Sequence, residues 1–283
     1  MRINTNVASL TALESNTQIN SNMRNSLEKL SSGLQINKAS DDASGLAIAD
    51  KLRTQANSIK QAIANGNSAM SLIQIADKAM AEQSNILDIV KQKLIQGATA
   101  TTSAEGRIAI GKDINKLLIQ LDQIAIQTNY NGITLLQGAN ASVGSDKLTF
   151  QMGETATDLA YLASGVQSNT SGLQGMAALL KSSFAGTWTG GDVRNHMISI
   201  DSAINELNTW RADFGSTQNQ IESAVRNMMT QVTNVKAAES VIRDVDYAAE
   251  SANFNKQNII AQAGTYAISQ ANQVQQNVLR LLQ

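Results

Sequence analysis

The chain has 283 residues, a net charge of −1 and only 16% charged side chains, so its composition indicates no basic surface for nucleic acid or an anionic membrane. It contains no cysteine and one histidine, His196, which excludes disulfides, thiol nucleophiles, cysteine-ligated metals and most histidine-based acid–base catalysis. Proline is absent and aromatic residues make up 4%. This composition favours long helices that bury small and aliphatic side chains. It predicts no catalytic, cofactor or metal site.

The sequence shows no run of about 18 apolar residues, so no membrane insertion is predicted. Its first residues lack the apolar core of a cleaved signal peptide. Two locations remain open at this point. The chain is either cytosolic, or it is exported unfolded and refolds outside, where a lack of cysteine and proline avoids oxidation and slow isomerisation.

The first predicted element is an N-terminal helix with one apolar face. Its apolar residues recur at heptad spacing, at Met23, Leu27, Leu30 and Leu34. Asp41 and Asp42 follow, directly before the next helical pattern. Carboxylates in that position typically cap a helix and complement its dipole.

Two helices are predicted to follow. The first runs from about residue 44 to residue 96, with apolar or small residues at spacings of three and four from Leu52 to Met80. The second carries Ile110, Ile114, Leu117, Leu121 and Ile124 on one face, and the turn signal Asn131-Gly132 is predicted to end it.

The middle of the chain changes character between residues 133 and 192, where glycine, serine and threonine cluster and the heptads stop. Residues 148–152 alternate apolar and polar side chains, which predicts a strand of a small hairpin. A long helix then follows from about residue 192 to residue 242, with a heptad seam from Ile200 to Ile242. A helix of this length favours a rod over a compact globule.

The last predicted helix carries small and apolar residues on one face and almost no charge. Its seam positions are Ile260, Gly264, Ala267, Ala271, Val274, Val278 and Leu281. Two interpretations remain open: the two terminal helices dock on their own subunit, or they are buried among copies of the same chain. The second is favoured, because two helices alone bury little apolar surface.

Several sequence blocks resemble those of bacterial flagellins, in the same order and at both ends. They are INTNVASL (3–10), LSSGLQIN (30–37), DDASGLAIA (41–49), QTNYNG (127–132), AESVIRDVDYA (238–248), QAGT (262–265) and ANQVQQNVL (271–279). The resemblance covers the two ends of the chain and leaves the middle undiagnosed.

The resemblance implies a mainly α fold: an elongated helical coiled-coil rod with paired terminal helices and a small β-hairpin region. An inner domain formed by residues 1–43 and 243–283 is expected beside a rod domain formed by residues 44–242. The hairpin and loop region is expected at about 133–192, too short for large outer domains. A joint between the two domains is expected at Gly33, Asp41, Asp42 and Gly45.

The implied function is structural: the chain polymerises into the bacterial flagellar filament for swimming, and it is no enzyme. The implied self-assembly interface comprises Met23, Leu27, Leu30, Leu34, Ile260, Ala267, Ala271, Val274, Val278 and Leu281. Further implied partners are the flagellar cap, the hook–filament junction proteins, an export chaperone and the type III export apparatus. The chain is then extracellular and exported without a cleaved signal peptide. A hook–filament junction protein and a secreted, non-polymerising flagellin-like protein remain as alternatives.

The resemblance also implies an altered patch for a Toll-like receptor, which senses many flagellins through an arginine, a leucine and a glutamate. The matching positions here are Ile89, Lys93 and Asp113. Ile89 lacks the guanidinium fork, and Lys93 places a hydrated charge where an apolar contact is expected. Weak sensing by this receptor is therefore predicted.

Overall fold

The computed structural model describes residues 5–137, 147–155, 157–163, 166, 168–170, 172–173 and 190–281. The helices are α1 (Val7–Ser32), α2 (Ala43–Ala98), α3 (Ala104–Gln127), α4 (Gly190–Arg243) and α5 (Tyr247–Leu281). Two small antiparallel strand pairs complete the elements of this described part, which confirms the predicted mainly α class. None of the helices described is long and apolar enough to cross a bilayer.

The chain divides into two compact units, residues 1–56 with 233–283 (unit 1) and residues 57–232 (unit 2). One division falls inside α2 and the other inside α4, whereas the sequence analysis placed the domain boundaries at 43/44 and 242/243. The reason is packing. The segment between α1 and α2 holds the first turns of α2 through buried Ile36, and the last residue of α4 through a 2.7 Å hydrogen bond from the Gln35 amide to the Arg243 carbonyl.

Unit 1 is built on the pairing of α1 with α5. The Asn6 side-chain amide donates to the Ala271 carbonyl at 3.1 Å, and the Ser26 hydroxyl donates to Gln257 Oε1 at 3.4 Å. Since the partner number falls as the α1 number rises, the two helices run antiparallel. The predicted pairing of the terminal helices is confirmed.

Unit 2 contains a long buried heptad seam, as the sequence predicts. On α2 the buried apolar residues include Ile59, Ala62, Ala69, Ile73, Ala76, Met80, Leu87, Val90 and Leu94. On α4 they include Ile200, Ala203, Leu207, Phe214, Ile221, Val225 and Met228. Spacings of three and four keep these residues on one side of each helix, so the two helices bury each other's seams together with α3.

Ion pairs between helices fix the register in unit 2. Lys91 of α2 meets Asp201 of α4 at 2.5 Å, and Arg211 of α4 meets Asp77 of α2 at 3.0 Å. These pairs are partly exposed, so each stabilises unit 2 by no more than about 1 kcal/mol. Their value lies in selecting one alignment of two helices that could otherwise slide by a heptad.

Two hairpins follow α3. Helix α3 ends at Gln127, before the turn signal Asn131-Gly132 that was expected to end it. Both turn residues have positive φ, +50° and +80°, and they connect β1 (Asn129–Tyr130) to β2 (Ile133–Thr134). Asparagine and glycine tolerate this left-handed conformation, which a two-residue hairpin turn requires.

The second hairpin confirms the predicted strand at 148–152 to within one residue. It pairs β3 (Lys147–Gln151) with β4 (Leu159–Ala163) in antiparallel register, with Leu148 opposite Leu162. The Asn65 side-chain amide of α2 donates to the Gln151 carbonyl at 3.2 Å, which ties the hairpin to the helical part of unit 2.

Candidate functional site

The seam between α1 and α5 is unusually polar and small. Asn16 and Ser26 of α1 are buried at 8% and 5% exposure. A Cβ built on Gly264 of α5 would lie 3.6 Å from the Asn16 side chain, so the two helices approach closely there. No large apolar side chain described in α1 or α5 is fully buried, so the hydrophobic effect stabilises the isolated pair only weakly.

Several large apolar side chains of the two terminal helices lie instead on their exposed surfaces. On α1 they are Val7, Leu10, Leu13 and Leu27, each 51–58% exposed, and on α5 they are Ile259, Ile260, Tyr266 and Val274, each 40–73% exposed. Exposed single apolar residues are ordinary, but a series along both helices of a pair is typical of a surface that another chain covers.

The predicted seam of α5 divides into two rows. Gly264 and Ala271 are half-buried against α1. Ile260, Ala267 and Val274 form a second row at heptad spacing, and all three are exposed. The side chains of Val278 and Leu281 lie outside the described residues. The sequence analysis treated the two rows as one seam, because small residues occupy both rows and spacing alone does not distinguish them.

The four predicted positions on the N-terminal side are likewise separated. Met23 and Leu30 are half-buried on the face of α1 toward α5, while Leu27 is 54% exposed. Leu34 is half-buried beyond the end of α1, where its backbone forms a β-bridge with Asp244. The structure thus brings part of the predicted interface into the helix pair and leaves part of it facing outward.

Gly33 ends α1 in a left-handed conformation with φ of +74°, and its amide donates to the Lys29 carbonyl at 2.9 Å. A Cβ at this position would lie 3.0 Å from the hydroxyl oxygen of Tyr247. The Val245 amide also donates to the Gly33 carbonyl at 3.0 Å. Glycine here therefore allows both the turn and the close approach of the start of α5.

The two predicted capping carboxylates have separate tasks. Asp41 Oδ2 accepts from the amides of Asn37 and Lys38, at 3.1 and 3.0 Å, which lowers the pKa of Asp41. Asp42 Oδ1 accepts from the Gly45 amide at 3.0 Å and from Ser44, which lowers the pKa of Asp42. Asp42 thus caps the start of α2, which confirms the capping role.

Gly45 completes this segment. A Cβ on Gly45 would lie 2.4 Å from Asp42 Oδ2 and 2.8 Å from the Cδ1 atom of Ile36. Any side chain would push the cap away from the helix that it closes. The sequence-predicted joint residues Gly33, Asp41, Asp42 and Gly45 therefore lie in one connected turn structure inside unit 1.

The sequence analysis missed a charged cluster beside this turn structure. Asp50 of α2 accepts from Arg53 at 2.9 Å and lies 3.8 Å from Arg243 of α4. The Arg243 side chain is only 18% exposed. Asp50 and Arg53 are three residues apart on one helix, a spacing that signals an ion pair, but nothing in the spacing predicts the third member.

The three residues of the predicted receptor patch lie on α2 and α3. Lys93 Nζ of α2 pairs with Asp113 Oδ2 of α3 at 3.0 Å. Ile89 lies one turn before Lys93 on α2 and is 41% exposed. The surface therefore offers an apolar side chain next to a neutralised ion pair.

Among the described residues, no cluster of three or more histidine, aspartate or glutamate side chains has a metal-binding arrangement. The geometry of unit 1 is that of a packing surface, with a hydrogen-bonded turn at one end and an outward apolar series along two helices.

Comparison with known proteins places this arrangement in a family. Residues 3–141 match the bacterial flagellin N-terminal helical region, and residues 197–282 match the C-terminal helical region. The chain is 37% identical to a flagellin of Bacillus subtilis, with all of both chains covered. It is 33% identical to the flagellar filament 33 kDa core protein of Treponema phagedenis, again over all of both chains.

A solved structure supports the fold. A putative flagellar hook-associated protein of Vibrio parahaemolyticus matches 72% of this chain and 99% of its own with a TM-score of 0.58, at 14% identity. That likeness extends to the fold alone. The two family regions and the full-length relatives together show that this chain belongs to the bacterial flagellin family, a family of structural proteins.

Proposed function

We propose that the chain is the polymerising subunit of a bacterial flagellar filament, outside the cell, and that it serves swimming motility. The observation that carries this proposal is the composition of the terminal helix pair. The fully buried residues of its inner seam are small and polar, and several of its large apolar side chains face outward. Such a pair gains stability when other copies cover the outward side chains.

The experiment has two parts. Purified chain is seeded with short filament fragments and followed by electron microscopy, and a deletion strain is tested for swimming and for filaments. The proposal expects long filaments from the purified chain and a non-motile deletion strain without filaments. A chain that stays monomeric on seeds, in a strain whose filaments persist after deletion, would refute it.

A hook–filament junction protein is the main alternative, and it predicts a different location. Immunogold labelling of intact cells separates the two functions. A filament subunit labels the whole length of the filament, whereas a junction protein labels one short zone at its base. The family assignment and the full-length likeness to named filament proteins favour the filament subunit. A secreted, non-polymerising protein would appear only in the culture supernatant.

The route to the filament follows from the same proposal. We infer that the chain travels unfolded through the flagellar export apparatus, bound beforehand to an export chaperone. It then adds beneath the cap, beyond the junction proteins. The absence of cysteine and proline supports this route, since refolding at the tip needs neither an oxidant nor prolyl isomerisation. No enzymatic step is proposed.

Within the filament, we assign residues 1–43 and 243–283 to an inner domain and residues 44–242 to a rod domain. The turn structure from Gly33 to Gly45 is proposed as the joint between them. Its hydrogen bonds and its two tight glycines support a fixed geometry. A fixed joint gives every subunit the same shape, which a regular helical polymer requires.

The patch formed by Ile89, Lys93 and Asp113 is proposed to bind a flagellin-sensing Toll-like receptor poorly. Asp113 is the one member with the expected chemistry, and its carboxylate is already paired with Lys93. Since interface energy is concentrated in a few anchors, loss of two and neutralisation of the third should weaken binding severely.

A further inference from the structure

We propose that Asn131 is a site of spontaneous deamidation in the folded chain, where its side-chain amide is converted to a carboxylate through a cyclic imide. Water is the only co-reactant. The inference depends on a comparison of the two Asn-Gly pairs of the sequence, Asn65-Gly66 and Asn131-Gly132. It concerns the folded chain by itself and goes beyond the proposed function, on which it does not rest.

The reaction begins at the backbone nitrogen of Gly132, which glycine leaves unshielded because it has no Cβ. This nitrogen gives up its proton to water or hydroxide and attacks Asn131 Cγ, which closes a five-membered ring. The bond from Cγ to Nδ2 breaks, and that nitrogen takes a proton from water and leaves as ammonia. Water then opens the ring. Opening at Cγ gives aspartate, and opening at the main-chain carbonyl carbon gives isoaspartate.

Both reacting groups of the second pair are accessible. Asn131 and Gly132 are exposed at the tip of the hairpin formed by β1 and β2. A Cβ built on Gly132 would meet no atom within 4 Å, so there is room for the ring. Within the described part of the chain, no hydrogen bond engages the Asn131 side chain or the Gly132 amide.

The turn must open before the ring can close. Asn131 has a φ of +50°, and ring closure requires rotation about its Cα–C bond, out of the left-handed turn. Two features favour this opening. An L residue is held at positive φ at a cost, and each strand of the hairpin contributes only two residues to the pairing. The tip can therefore open locally, without unfolding of the helices of unit 2.

The first Asn-Gly pair lies in the middle of α2 and has the opposite surroundings. Gly66 is buried, and a Cβ on it would lie 2.7 Å from Val225 Cγ2. The Asn65 side chain accepts from Gln61 at 3.0 Å and donates to the Gln151 carbonyl at 3.2 Å. Ring closure here would break the helical hydrogen bonds at a packed site, which requires unfolding on the scale of unit 2.

The two products differ in what they do to the hairpin. Both make the chain one charge more negative. Aspartate keeps the turn, because Asp-Gly suits the same turn as Asn-Gly. Isoaspartate inserts an additional carbon into the main chain between positions 131 and 132, so Tyr130 can no longer lie opposite Ile133 across a two-residue turn. Conversion needs no enzyme and accumulates with the age of the chain.

The test compares the folded chain with the chain unfolded in guanidinium chloride, both incubated for several weeks in mildly alkaline buffer. Samples are digested with trypsin, which places the two pairs in separate peptides, 61–78 and 117–147. Mass spectrometry with electron-transfer fragmentation locates each converted asparagine and distinguishes isoaspartate from aspartate. Asn131→Asp serves as the reference for the aspartate product. Asn65-Gly66 is the matched control within the same chain.

The proposal expects both pairs to convert at similar rates in the unfolded chain, because their local chemistry is the same. In the folded chain, Asn131 should convert to both products. Asn65 should convert at least about a hundredfold more slowly than Asn131, because opening of a packed helix approaches the free energy of global unfolding. Mildly acidic buffer should slow the conversion of Asn131, since the attacking nitrogen must lose a proton.

Three results would overturn the inference. The first is an intact Asn131 in the folded chain when the unfolded chain converts, which means that the turn protects the pair. The second is equal conversion of Asn65 and Asn131 in the folded chain, which means that the reaction proceeds only through global unfolding. The third is an intact Asn131 in the unfolded chain, which means that the pair itself is unreactive. Filament assembly enters none of these outcomes, so the proposed function is tested separately.

Discussion

At the scale of single residues, two helical glycines with opposite surroundings provide a matched comparison. A Cβ on Gly66 of α2 would lie 2.7 Å from Val225 Cγ2 of α4 and 3.1 Å from Met152 Cε, whereas a Cβ on Gly215 of α4 would meet no atom within 4 Å. Replacing glycine by alanine inside a helix normally stabilises it by about 1 kcal/mol. Overpacking costs about 1–3 kcal/mol, so the sign should differ between the two sites.

We therefore expect Gly66→Ala to destabilise unit 2 by about 1 kcal/mol and Gly215→Ala to stabilise it by up to about 1 kcal/mol. Thermal unfolding of the unassembled chain, followed by circular dichroism, measures both. A higher midpoint for Gly66→Ala would mean that Val225 and Met152 move aside freely, contrary to the close packing described.

The turn before α2 should loosen in acid. Backbone amide donors, that of Gly45 above all, lower the pKa of Asp42 below its ordinary value of 3.8, and those of Lys38 and Asn37 lower the pKa of Asp41. A carboxyl with a lowered pKa in the folded state adds stability above its ordinary pKa, and this stability is lost as the pH falls through the folded value. Below about pH 4 the turn should therefore open.

Hydrogen–deuterium exchange of residues 37–45, corrected for the intrinsic pH dependence, measures this opening. In the native chain, protection of these amides should decrease as the pH is lowered below about 4. It should change little in Asp41→Asn/Asp42→Asn, because an asparagine caps a helix without titrating. Equal acid sensitivity in both chains would assign the opening to other groups.

The receptor patch offers a test by gain of function. In Ile89→Arg/Lys93→Leu the arginine supplies directed donors, and the loss of Lys93 frees Asp113 from its 3.0 Å ion pair. Reporter cells that express the receptor should respond weakly to the native monomer and at least tenfold more strongly to the variant. Lys93→Leu alone serves as the control and should recover only part of the response. A strong response to the native monomer would contradict both the alignment and the argument.

At the scale of elements, a truncation within unit 1 should abolish filament assembly and leave unit 2 folded. Removal of residues 251–283 deletes nearly all of α5, and with it the covering of α1, but it leaves unit 2 (57–232) untouched. We expect the truncated chain to form no filaments on seeds, while circular dichroism still reports the helices of unit 2. Normal filaments from this chain would exclude the terminal pair as the polymerisation surface.

At the scale of the whole molecule, assembly should change the stability of the terminal helices. The α1–α5 seam contains Asn16 and Ser26 where a stable pair would bury leucines. Two helices joined by such a seam are marginal in water. We expect limited proteolysis to remove both termini quickly from the monomer and slowly from the filament, with unit 2 retained in both. Equal protection in the two states would show that the pair is stable alone.

The sequence by itself determined the helical class, the heptad seams of α2 and α4, the hairpin at β3 and the capping by Asp42. These features depend on local spacing and backbone preference, which the order of residues states directly. It also determined the family, because the recognisable blocks lie in the two terminal regions that the family shares.

The tertiary structure alone decided which way each terminal residue faces. The sequence analysis placed Gly264 and Ala271 in one seam with Ile260, Ala267 and Val274. The two sets lie on neighbouring rows of α5, and both repeat every seven residues with small or apolar side chains, so spacing could not separate them. It could not predict that Arg243 lies 3.8 Å from Asp50, since the two are far apart in sequence. Contacts between residues far apart in sequence depend on how the helices pack. When two faces of a helix could each be buried, the neighbouring helix determines which of them is.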